Sequence, residues 1–80
     1  MKAFVYVTLK QGVLDPQGKA VSHALQSLKY DSVQEVRQGK FFEVELKGVV
    51  GDEAKKQIKE MCEKLLANTV IEDYRFEVKE

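Results

Sequence analysis

The chain has 80 residues with one cysteine and one histidine, and its 13 lysines and arginines balance 13 aspartates and glutamates. That length predicts one domain, residues 1–80, which buries only about 60% of its unfolded surface and gains from assembly with copies of itself or with partners. Zero formal charge argues against nucleic acid or anionic lipid as a partner. A lone cysteine forms no internal disulfide and fits a reduced, cytoplasmic setting, and no apolar run nears the roughly 20 residues that cross a membrane. No signal-peptide pattern opens the sequence, so no targeting segment is expected.

Residues 2–10 alternate: Ala3, Val5, Val7 and Leu9 on one face, Lys2, Phe4, Tyr6, Thr8 and Lys10 on the other. Period two with β-branched and aromatic residues predicts a strand. Phe4 and Tyr6 stand where a one-sided sheet would carry charge, and with Phe41 they are candidates for self-association.

The stretch from Lys10 to Ala20 leads from this strand into a helix. Asp15 is placed to cap that helix, Pro16 falls at its first position, and Gly12 permits a tight turn out of the strand. Lys10, Gln11 and Gln17 are polar beyond what the turn requires. Ala20, Val21, Ala24, Leu25 and Leu28 then draw an apolar stripe, predicting a helix over 16–29 that packs on the sheet. His23 lies opposite the stripe and is read as a solvent-facing residue.

Tyr30-Asp31-Ser32 ends the helix. Residues 33–37 are a weaker strand, because Val33 and Val36 are three apart and break alternation; a bulge or a late start would accommodate this. Gln38-Gly39 reads as a tight hairpin turn. Phe42, Val44 and Leu46 come next on one face, with Phe41, Glu43, Glu45 and Lys47 on the other. Asp52 is expected to cap a second helix with the stripe Ala54, Ile58, Met61, Cys62 and Leu65, and Asn68 to close it in a left-handed cap. A last strand over 70–78 turns Tyr74, Phe76 and Val78 inward.

The order β-α-β-β-α-β predicts an α+β, ferredoxin-like fold, with two helices packed on one face of a four-stranded antiparallel sheet. The polar residues Lys10, Gln11, Gly12, Asp15 and Gln17, and separately Arg37, Gly39 and Lys40, are candidate partner-binding groups, expected at opposite ends of the sheet. No metal is expected, since one histidine and one cysteine make no metal site by themselves. No catalytic residue is expected either. Cys62 sits on the core stripe, and the phosphate-binding and nucleophile-elbow motifs are missing.

Several families with this fold can be weighed. Gln11-Gly12-Val13 is similar to the phosphate loop of acylphosphatases, but Leu14-Asp15-Pro16, which follow it, offer no arginine and Asp15 would repel an anion. RNA-binding RRM domains stack bases on strand aromatics, yet Glu43 and Glu45 put negative charge on that face. An ACT-like module that binds a small ligand as a dimer stays open as the alternative.

A fuller resemblance rests on Leu9-Lys10 with Gly12-Val13-Leu14-Asp15-Pro16-Gln17-Gly18-Lys19-Ala20, on Val36-Arg37-Gln38-Gly39-Lys40, on Met61-Cys62, and on Leu65-Leu66-Ala67-Asn68 with Val70-Ile71-Glu72-Asp73-Tyr74. Over essentially the whole chain these resemble the PurS family, small subunits of phosphoribosylformylglycinamidine (FGAM) synthase in purine biosynthesis. Thr69 stands where that family usually has proline. The resemblance implies a homodimer or tetramer that contributes no catalytic residue and no cofactor. It would join a glutaminase subunit to a large synthetase subunit and support ammonia transfer between them. ATP, magnesium and glutamine would belong to those partners.

Overall fold

Alternation in the sequence becomes a three-stranded antiparallel sheet in the computed structural model, which describes residues 1–79. The elements are β1 (Lys2–Leu9), α1 (Pro16–Ser27), β2 (Lys40–Glu45), α2 (Gly51–Met61) continued by a π-helical turn (Cys62–Leu66), and β3 (Glu72–Lys79). β1 lies in the middle, in the order β2-β1-β3. Val5 pairs with Phe42 on one side and Phe76 on the other, and Ala3 with Val44 and Val78, so the predicted inward residues share one face. The central ones, Ala3, Val5 and Val7, are wholly buried.

One helix covers that face. Ala54, Ile58 and Cys62 recur every fourth residue along α2 and its π-turn, all three are wholly buried, and Ile58 and Cys62 pack with Ala3, Val5 and Val7 of β1. The helix starts at Gly51 after an N-cap at Val50, so Asp52 belongs to the first turn and not to the cap. There its charge still favours the positive helix end. At the other end the Ala67 N–H donates to the Cys62 carbonyl at 2.9 Å, an i→i+5 bond that winds one extra residue into the last turn. That extra residue shifts the stripe: Leu66 and Ala67 pack inward and Leu65, expected in the core, is exposed. Asn68 also departs from expectation. It is not left-handed; its side-chain oxygen accepts from the Val70 N–H at 3.1 Å, and its carbonyl from Ile71 and Glu72, forming the turn into β3.

The predicted fourth strand is missing among the described residues. Residues 33–39 make no ladder, and Gln38-Gly39 is not a hairpin turn. Two of the backbone groups a strand would offer are taken by α1 and its cap. The Val33 carbonyl accepts from the Gln26 side-chain amide at 3.0 Å, and the Gln38 N–H donates to Asp15 Oδ2 at 2.9 Å. Val33 and Val36, three residues apart, give this segment no single apolar face to lay on a core.

The largest departure concerns α1. Its start agrees with the sequence: Pro16 is the first helical residue and Asp15 Oδ1 accepts from the Gly18 N–H at 2.9 Å. Its end is a Schellman turn, with Lys29 left-handed at φ 75° and the Tyr30 N–H donating to the Leu25 carbonyl. Its buried residues, however, are Gly18 and Ser22, not the apolar stripe. Gly18 lies so close to the returning chain that a Cβ there would stand 2.3 Å from the Val36 carbonyl oxygen. The small face of the helix therefore packs on residues 33–36, and the stripe faces away from the chain's own core. Val21 is 41% exposed, Leu28 is 66% exposed, and no α1 residue joins the buried cluster.

The result is an elongated molecule of 49 × 26 × 14 Å. Its Cα radius of gyration is 15.9 Å, where a compact chain of this length has about 12 Å. α1 and its return segment form an arm that leaves the sheet.

Candidate functional site

Because β2 runs antiparallel to β1, Lys40 at its start pairs with Val7 near the end of β1. The chain entering β2 must therefore lie at the end where β1 departs toward α1. The two polar groups expected at opposite ends of the sheet are consequently one cluster. Within the chain, the strand directions that the β-α-β-β order imposes already require this.

The cluster is tied by specific bonds. Arg37 Nη2 donates to the Leu9 carbonyl and, at 3.1 Å, to the Lys10 carbonyl. The Asp15 carboxylate accepts from the Gly18 N–H with one oxygen and the Gln38 N–H with the other, both at 2.9 Å. These two bonds, the one from Gly18 foremost, hold its pKa below the ordinary carboxylate value, and nearby Arg37 adds to the effect. Gln38 Nε2 reaches Gln17 Oε1 at 3.2 Å. Gly39 passes against β1 where a Cβ would stand 2.3 Å from the Val7 carbonyl oxygen, so its close approach, not a turn, calls for glycine. Gly12 takes φ +84° in the turn after β1.

The charged ends face outward. Lys40 Nζ lies 3.3 Å from Glu72, and Lys10 Nζ lies 4.0 Å from Asp73, while the Lys10 N–H donates to the Ile71 carbonyl at 2.9 Å. The same end thus joins β1, α1, the return segment and the start of β3. Lys10, Lys40, Gln11, Gln17 and Gln38 present amines and amides, and Arg37 is half-buried beneath them. Gln38 is hidden from sequence reasoning, which gives it to a hairpin. A signal exists all the same: Gly18 and Ser22 at i,i+4 mark a small-residue helix face that invites a backbone.

The second candidate lies on the outer sheet face. Phe4 stacks on Phe41 with ring centroids 6.1 Å apart, and Tyr6 meets Phe41 at 5.3 Å. The Arg75 guanidinium sits 4.1 Å over the Tyr6 ring and Lys79 Nζ 5.9 Å over Phe4. Phe41 is 54% exposed and the most open of the three.

Three further side chains have reactive groups. Burial, then the adjacent Glu63 charge, pushes the Cys62 thiol up, away from the thiolate a nucleophile needs. Tyr74, whose hydroxyl donates to Glu63 Oε2 at 2.9 Å, is pushed up to about 12 by burial and by that bond. His23 is exposed, beside the groove between α1 and the return segment that Gln34 and Glu35 also line. Among the described residues no group of histidine, cysteine or carboxylates is arranged to hold a metal, and no helix is long and apolar enough to cross a membrane.

Comparison with known proteins places this arrangement. The family model PurS, phosphoribosylformylglycinamidine (FGAM) synthase, matches residues 2–80. The phosphoribosylformylglycinamidine synthase subunit PurS of Bacillus subtilis is 60% identical over 79 residues, which are 99% of this chain and 93% of the relative. The crystal structure of PurS from Methanocaldococcus jannaschii, one of the subunits of formylglycinamide ribonucleotide amidotransferase in the purine biosynthetic pathway, superposes with a TM-score of 0.87. It is 39% identical and covers 99% of this chain and 95% of its own. A chain in the structure of PurLQS from Thermotoga maritima gives a TM-score of 0.84 at 30% identity, over 95% of this chain and 94% of its own. These matches favour a subunit over a free-standing ligand-binding module, and the chain belongs to the PurS family of FGAM synthase.

Proposed function

We propose that this chain is the small, non-catalytic subunit of an FGAM synthase, binding a glutaminase subunit and a large synthetase subunit so that ammonia passes between them. The observation that carries this reading is the full-length match to PurS, including a chain of PurLQS, in a molecule whose own fold is incomplete. The complex would convert formylglycinamide ribonucleotide, glutamine and ATP to FGAM, with ATP, magnesium and glutamine handled by the partners. Lys10, Gln11, Gly12, Asp15, Gln17, Arg37, Gly39 and Lys40 form the partner-facing end. Lysine amines and glutamine amides there suit carboxylates and backbone carbonyls of a protein surface.

The chain works as a homodimer. The stripe Ala20, Val21, Ala24, Leu25 and Leu28 is the cover that the ferredoxin-like arrangement assigns to the sheet, and it finds no place on its own chain. On a second copy it lies over the half of the inner face that α2 leaves open, beside the half-buried Phe42 and Leu46. A strand of that copy takes the free edge of β2, the fourth position of the ferredoxin-like sheet. Two copies then offer two polar ends, one for each larger subunit. Phe4, Tyr6 and Phe41, outside this contact, join dimers into a tetramer.

Reconstitution of the three subunits tests the role. Glutamine-dependent FGAM synthesis should need this chain, while synthesis from added ammonia should need it far less. Equal rates with and without it, under glutamine, would contradict the reading.

A further inference from the structure

α1 makes almost no contact with the sheet, yet it leaves in one defined direction. Charged side chains bridge the gap. Arg37 grips the last carbonyl of β1, at Leu9, and that of Lys10 just after it, from the return segment. Asp15 grips the return segment at the Gln38 N–H and the helix at the Gly18 N–H. Strand end, helix start and return segment are therefore tied to one another at one point, by a guanidinium and a carboxylate, with the exposed Gln38–Gln17 amide bond beside them.

We propose that Asp15 and Arg37 are a positioning pair, a clip that fixes the angle of the α1 arm and so presents its apolar stripe in register for assembly. Neither residue needs to touch a partner for this. Asp15 does two separable jobs. An N-cap requires one side-chain oxygen, and asparagine serves that as well as aspartate. The second oxygen, which holds Gln38, is what asparagine lacks, because its amide nitrogen donates and cannot accept. Arg37 is separable too: methionine keeps the apolar stem and loses every donor, while lysine keeps donors for both carbonyls.

The consequence for assembly rests on the subunit role proposed above; the angle of the arm does not. Spin labels on Ser27→Cys at the arm's far end and Glu77→Cys on β3, in a Cys62→Ala background, read the angle directly. Labelled chain is diluted in unlabelled chain so that only distances within one chain are measured. The unaltered clip should give one narrow distance. Arg37→Met and Asp15→Asn should each broaden it at least twofold with helix content kept, and Arg37→Lys should narrow it again. A distribution in Arg37→Met as narrow as that of the parent overturns the clip. Should Arg37→Met not fold, an equally narrow distribution in Asp15→Asn overturns it independently. In the reconstituted synthase, the ratio of glutamine- to ammonia-dependent synthesis should fall several-fold with Arg37→Met and recover with Arg37→Lys. A broadened arm with an unchanged ratio overturns the link to assembly. Failure of the subunit role itself is seen without any variant, as parent chain that gives no glutamine-dependent synthesis with its partners.

Discussion

Two helices of similar length and similar apolar patterning meet opposite fates in this fold. α2 and its π-turn lay Ile58 and Cys62 on the sheet, and with Ala54 each is wholly buried. α1 buries Gly18 and Ser22 and leaves Val21 and Leu28 in solvent. The difference is not in the stripes, which each carry at least four apolar residues at helical spacing. It lies in the chain beyond each helix. After α2, Ala67 and Asn68 turn the backbone straight into β3 beside β1. After α1, the return segment has no alternating face, so it packs on the helix's small side and carries the helix away from the sheet. A stripe on a helix predicts that something apolar will cover it, and not that its own chain will.

Substitutions sharpen this contrast. The largest effect is expected in α2: Ile58→Ala should cost about 2–5 kcal/mol, as a cavity at a fully buried site does. Denaturant melts at low protein concentration check this, since the site is filled by the chain itself. In α1, Leu28→Asp should raise the dimer dissociation constant at least tenfold, because a charge replaces a residue worth roughly 1.5–3 kcal/mol on burial. Its effect on melting should grow with protein concentration, as measured by sedimentation and by melts over a dilution series. A Leu28→Asp protein that melts like the parent at every concentration would erase the distinction between the helices.

Smaller effects are expected on the other surfaces. Tyr6→Glu should shift tetramer to dimer with the dimer intact, read as mass by light scattering; it also removes the ring beneath Arg75. Cys62→Ala should cost about 1 kcal/mol in melts and leave the synthase turning over, and His23→Ala should change neither. Acid should loosen the arm. The Asp15 carboxyl is depressed in the folded chain, so what it adds to stability is complete above its unfolded pKa and is lost as the pH falls through the lower folded value. Protection of the Gln38 amide, measured against its intrinsic exchange rate at each pH, should fall over that acid range in the parent, and Asp15→Asn should abolish this pH dependence of protection.

Much of this is legible in the residues. Alternation over 2–10, 40–46 and 72–78 sets which side chains face the core, and the Asp15-Pro16 pair locates the start of α1. The aromatics Phe4, Tyr6 and Phe41 form the one patch expected of them. Three things are not legible, each for a physical reason. Periodicity names a buried face without naming its cover, so the sequence points the stripe of α1 at its own sheet, whereas in the fold it faces away from that sheet. A π-turn depends on one carbonyl choosing the fifth residue over the fourth, which Leu65-Leu66 does not announce. The polar residues around Lys10 and Arg37 stand out as a surplus, but their meeting at one end comes from strand direction, and Asp15 holds Gln38 only through its backbone N–H.

The central claim is that α1 covers the sheet of a second copy. Mixing chain carrying 13C-labelled methyls with unlabelled chain, and recording only nuclear Overhauser effects between copies, tests it most directly. The account predicts intermolecular contacts from the Val21 and Leu28 methyls to the Phe42 ring. A dimer in which those methyls show no contact to the other copy, or contact the Phe42 ring of their own chain alone, would contradict it.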